Sequence, residues 1–165
     1  IYDLLGGIYP EGGAALGWLV SVVGGIGIVL GVVAAMLVAR VRYRRALLAA
    51  LWLGALVSLG QALLPPLPVM LGLRVIEGIS HLAIVVAAPT LVAQIATDHQ
   101  RGLALTLWGT FFGVAFAVMA WGGLPFARAA GIPALFAAHA AYMAGFALYL
   151  ALLADRLIKS SGVYR

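Results

Sequence analysis

Three ionisable residues, Arg74, Glu77 and His81, lie inside one long apolar run, the stretch PVMLGLRVIEGISHLAIVVAAP from Pro68 to Pro89. At 100° per residue, Arg74, Glu77, Gly78, His81, Val85, Ala88 and Val92 share one face of a helix. A charge at the centre of a bilayer costs about 2.5–3.5 kcal/mol on insertion scales, so such groups turn to a bundle interior or a watery cavity and pair there. Arg74 and Glu77 are spaced i,i+3, and Glu77 and His81 i,i+4, both within side-chain reach. Two chemistries follow. One is an internal ion pair that only orients its helix. The other is a polar cavity in which the Glu77 carboxyl exchanges a proton and the planar Arg74 fork favours a small organic anion. A metal held by Glu77 and His81 lacks a third ligand, so no metal and no cofactor is expected.

Other residues stand in weaker positions. His139 and Trp108, each in another apolar run, are candidates to line the same cavity, and Gln61 has a similar status to His139. His99 falls in a short polar turn and is expected to be solvated. No signature of catalysis stands out, and the chain is expected not to be an enzyme. The nearest approach to a nucleophile elbow, Glu77-Gly78-Ile79-Ser80-His81, lacks the second glycine, and there is no P-loop. Gly25, Gly27 and Gly31 imitate a dinucleotide loop, but they follow no strand and sit in an apolar run.

The elements that must position these residues follow from composition. Of 165 residues, 65% are hydrophobic and 9% charged, with no Cys, and mean hydropathy is +1.13. Soluble domains carry about 25% charged residues, so most of this chain has lipid as its solvent. Apolar runs of twenty or more residues without alternation exclude barrel strands and require helices. The expected fold is an all-α polytopic membrane bundle with spans at about 14–38, 46–64, 68–96, 102–123 and 134–154. Residues 1–13 read as an extracytoplasmic loop or the end of a preceding helix. A loop with Pro125, Arg128 and Pro133 joins the last two spans, and residues 155–165 form a polar, basic tail or linker.

Small residues recur at four-residue spacing, where they let helices pack closely in a bilayer. Gly17, Ser21 and Gly25 form one stripe and Gly27 and Gly31 another; Gly78, Gly109 and Gly113 are further packing candidates. The net charge of +5 sits in the gaps between spans rather than in a patch for nucleic acid, which is not an expected partner. Arg40, Arg42, Arg44, Arg45, Arg101, Arg156, Lys159 and Arg165 fall on one side and Arg128 on the other. The positive-inside rule makes the carboxy terminus cytoplasmic and residue 1 external. The expected location is a bacterial cytoplasmic (inner) membrane. An external start without a signal peptide leads to the expectation of a sixth, upstream helix and of a longer natural protein.

This pattern resembles the major facilitator superfamily of secondary transporters. Arg74, Glu77 and Gly78 are similar to that family's helix 4 signature, and the basic knot Arg40, Arg42, Arg44 and Arg45 occupies the place of its loop between helices 2 and 3. There Ala35, Ala39 and Arg42 stand where Gly, Asp and Gly are usual. Gly109 and Gly113 lack the following proline of drug antiporters. The resemblance implies helices 2–6 of an amino-terminal half, alternating access against a second six-helix half, a gating role for the basic loop, and a small solute, with or without protons, as cargo. The alternative class is a non-transporting, transporter-like subunit packed on other membrane proteins; the small-residue stripes serve both.

Overall fold

The structure, a computed structural model, describes residues 2–160. A short helix α1 (Tyr2–Ile8) and a 3-10 turn (Pro10–Gly12) lead into α2 (Ala15–Val41), α3 (Tyr43–Ala62) and α4 (Leu67–Ile95). Then come α5 (Asp98–Gly109), α6 (Phe111–Val118), a π turn (Met119–Gly123), α7 (Leu124–Ala130) and α8 (Ile132–Ser160). Among the described residues, five stretches are long and apolar enough to cross a membrane: α2, α3, α4, the run Asp98–Ala130, and α8 through Leu153. Helices bond their backbone groups internally, the condition hydrocarbon imposes.

Helix α3 is the centre of the bundle, packed on α8 and on α4, and α4 in turn packs on α2. Two apolar clusters stabilise this arrangement at different depths. One joins Leu5, Leu16, Leu19, Met70, Ala127, Ile132 and Phe136. The other joins Val38, Leu47, Leu51, Ala55, Ala87, Met143 and Ala147. On α3, α4 and α8 the interval between the clusters contains Ser58, Gln61, Arg74, Glu77 and His139. A polar layer is thus enclosed between two apolar ones.

Close approach of the helices depends on two glycines. A Cβ on Gly78 would lie 3.0 Å from Ile26 Cγ1 and 3.3 Å from the Val23 Cα, so α4 touches the α2 backbone there. A Cβ on Gly54 would meet Ser80 Oγ at 2.9 Å. The same Ser80 hydroxyl donates to the Ala50 carbonyl at 2.7 Å, tying α4 to α3. The stripe expected on α2 behaves differently. Gly17, Gly25, Gly27 and Gly31, like Gly109 and Gly113, face nothing within 4 Å, because α2 meets the bundle through Val23 and Ile26 at Gly78 and through the buried Leu16, Leu19 and Val38. Ser21 returns its hydroxyl to its own helix, at the Gly17 carbonyl. We predict that Gly78→Leu destabilises the folded protein by about 1–3 kcal/mol, the cost of overpacking, whereas Gly27→Leu changes its thermal midpoint little. Equal midpoints for the two variants would contradict this packing.

The connection expected as a loop around Pro125 is instead helical. Pro125 cannot donate and crowds the preceding turn; the π turn widens the helix just before it, and the chain stays helical to Ala130. The break falls at Gly131, whose φ of 89° is a backbone conformation glycine adopts freely. At the other end, the backbone of residues 155–160 continues α8, where a tail was expected; residues 161–165, with Arg165, lie outside those described, as does Ile1. Tyr9 anchors the amino-terminal segment by donating to the Pro65 carbonyl at 2.7 Å, and burial raises its phenol above the ordinary value. Arg101 binds the α4–α5 turn, with Nε on the Ala93 carbonyl at 2.9 Å and Nη2 on Asp98 at 2.9 Å.

The basic knot forms the α2–α3 turn. Arg40, Arg42, Arg44 and Arg45 are exposed, and none of them is ion-paired among the described residues. Arg42 has φ 68° and ψ 119°, although only glycine adopts such angles without strain. Strain of this type costs on the order of 1–3 kcal/mol. Arg42→Gly is therefore expected to raise the thermal midpoint of the protein in detergent, by the equivalent of about 1 kcal/mol. A lowered midpoint would show that the turn accommodates arginine without strain.

Candidate functional site

The polar layer is built by three helices that approach one another around α3. Helix α4 carries Arg74 and Glu77 one turn apart, and Arg74 Nη1 donates to Glu77 Oε2 at 2.7 Å. Their side chains are 16% and 17% exposed, and both line a cavity. From α3, the fully buried Gln61 donates through Nε2 to the same Glu77 oxygen at 2.6 Å. From α8, the ring of Phe136 lies under the guanidinium, with Arg74 Cζ 5.4 Å from its centroid. This contact is favourable for a cation shielded from water. One turn beyond Phe136, His139 Nδ1 lies 2.8 Å from the buried Ser58 hydroxyl on α3.

These groups open onto a cavity of about 790 Å³ lined by Arg74, Glu77 and His139 at one pole. Phe111, Val118, Met119, Leu135, Phe136 and Tyr142 supply most of the remaining, largely apolar wall. The volume suits a small organic molecule; ligand pockets run to about 300–1,000 Å³. At about 1.5 Å per residue, Glu77 lies roughly 15 Å along α4 from Leu67 and roughly 27 Å from Ile95. Charge therefore concentrates on one side of an otherwise greasy chamber, where a guanidinium and a carboxylate interact more strongly than in water.

The ion pair has a particular economy. Glu77 Oε2 accepts from both Arg74 and Gln61, so a single oxygen collects two donors and neutralises the arginine charge in place. The Gln61 carbonyl oxygen, also buried, has no hydrogen-bond partner among the described residues, an arrangement that costs about 1–3 kcal/mol.

The stripe expected on α4 is divided among its neighbours. Arg74 and Glu77 face the cavity, and Gly78 faces α2. His81 makes no hydrogen bond to Glu77; its ring stands 6.3 Å from that of Phe112 on α6. Trp108 is not a lining residue: it stacks on Phe111 at 4.8 Å, and Phe111 lines the cavity in its place. His139 does line it. Three participants were not singled out for the site from the sequence: Ser58, Phe136, and Gln61 as a direct partner of Glu77. The spacing Phe136, His139, Ala140, Met143 on α8 holds the available signal, since these positions recur on one helical face.

A sequence model described as Major Facilitator Superfamily matches residues 9–162, which is most of the chain. No curated protein and no solved structure matches it significantly.

Proposed function

The chain belongs to the major facilitator superfamily, a family of membrane transporters, and from that premise we propose that it moves a small organic anion, coupled to protons through Glu77, by alternating access. The observation that carries this reading is the Arg74–Glu77 pair at the wall of the cavity. An ionised Glu77 holds the Arg74 charge. A proton on Glu77 cancels the carboxylate and leaves the guanidinium, with its fork of donors, to a carboxylate-bearing solute. The apolar wall takes the body of that solute. Occupation of the cavity by proton and anion together is electrically balanced, whereas occupation by the anion alone sets it beside Glu77. That difference is the basis of coupling.

The basic α2–α3 turn and Arg101 support placement of that side in the cytoplasm, with residue 1 external. The rest of the transport path belongs to a second six-helix half packed against the cavity mouth. The test uses the complete protein in sealed vesicles. An inward proton gradient is expected to drive accumulation of an organic anion above its equilibrium level, and collapse of the gradient should abolish the excess. Uptake of such anions that ignores the gradient would overturn the coupling; no uptake of any organic anion would overturn the substrate class.

A further inference from the structure

Gln61 sits on the last turn of α3 with its side chain fully enclosed. Its Nε2 is 2.6 Å from Glu77 Oε2, while its Oε1 is buried without a partner among the described residues. Buried amides are ordinarily satisfied at both atoms, so the bare oxygen calls for a reason. An ionised carboxylate can only accept, and it takes the amide N–H. A protonated carboxyl carries an O–H and needs an acceptor at the same place. Half a turn about the last side-chain bond of Gln61 exchanges Nε2 and Oε1. The separation suits either partner, being short for N–H···O and ordinary for O–H···O.

We propose that Gln61 is a proton-state-dependent positioning residue: its amide donates to ionised Glu77 and, when Glu77 is protonated, reverses and accepts the carboxyl hydrogen on Oε1. This rests on the proton-coupled reading above and assigns a further residue to it. One proton passes from cavity water to Glu77 Oε2, and no electrons are transferred. The reversal gives the bare oxygen a donor in the protonated state and moves Nε2 into the unpartnered position, so one amide serves either state of Glu77. The weakened Arg74 bond to the same oxygen then frees the guanidinium for the solute. Other groups around Glu77 leave this role to Gln61. Arg74 on its own helix is a donor only. His81 makes no hydrogen bond to it, Ser58 on α3 is taken by His139 of α8, α6 presents phenylalanines, and α2 has no ionisable residue between Ala15 and Ala39.

The experiment is infrared difference spectroscopy of the complete protein in vesicles, acid minus alkaline, with isotopically labelled glutamine. Glu77→Gln identifies the Glu77 carboxyl band by its loss. The expected result is a labelled amide band that shifts with the same midpoint as that carboxyl and disappears in Gln61→Met. The Glu77 acid band should also move to higher frequency in Gln61→Met, having lost its acceptor. Gln61→Asn, whose amide falls one methylene short, serves if the methionine variant does not fold, and should lose the same amide band. A Glu77 band that titrates with no Gln61-dependent amide change overturns this role and leaves the proton reading standing. Absence of any Glu77-dependent carboxyl band overturns both.

Discussion

Arg74→Ala is expected to abolish high-affinity binding of organic anions by the complete protein while sparing its insertion as a helical bundle. A hydrogen bond to a charged group contributes about 1.5–3 kcal/mol, which is about 10- to 150-fold in affinity for a single contact, and a forked contact is stronger. Arg74→Lys keeps the charge but not the fork, and should recover only part of the loss. A thermal cost accompanies the alanine variant. Glu77 would keep Gln61 as its sole donor, and removing one member of an enclosed pair costs about 3–5 kcal/mol. The cavity exposure of the pair places this one toward the lower figure. Equilibrium binding in detergent separates the two effects. If a neutral or cationic solute binds and Arg74→Ala leaves that binding intact, the anion assignment is wrong, and Arg74 only holds Glu77 and its helix in place.

Glu77→Gln should give the opposite combination, a stable protein that has lost its response to pH. The substituted amide has nearly the shape of the carboxyl, and its oxygen can still accept from both Arg74 and Gln61. With one proton per solute, a gradient of one pH unit is about 1.4 kcal/mol, or about tenfold accumulation. Uptake by the variant should equilibrate without accumulation and be flat across pH. Measured side by side in vesicles, wild-type protein should concentrate the solute and Glu77→Gln should not. Retention of pH-dependent accumulation by the variant would move the proton to another group, with His139, on the same cavity wall, the next to test.

The two variants probe a site of which only part was legible in the amino-acid order. Hydropathy located five spans because lipid leaves the backbone no alternative to the helix. Burying Arg74 and Glu77 in such a span required them to pair, and i,i+3 spacing on one helix made the pair predictable from local geometry alone. The basic turn at Arg40–Arg45 was equally local. Errors arose where a local rule met a compensating neighbour. Pro125 reads as a helix breaker, yet a π turn absorbs it. The stripe of Gly17, Gly25, Gly27 and Gly31 reads as a packing face, yet the contact between α2 and α4 runs through Gly78.

Helical periodicity states which residues share a face; it does not state which neighbour that face meets. On α4, rotations of about 40–100° within one stripe separate Glu77, which meets α3, from Gly78, which meets α2, and from His81, which reaches α6. Gln61 and Glu77 are 16 residues apart, and Ser58 and His139 are 81 apart. Contacts at such separation exist only once α3 lies between α4 and α8. The sequence by itself determined the solvent, the helices, their number and the necessity of an Arg74–Glu77 pair, because each follows from composition or from geometry within one helix. The tertiary structure alone decided that Gln61 would share the Glu77 oxygen, that Phe136 would lie under Arg74 and that His139 would line the cavity, because those placements depend on how packed helices rotate and cross.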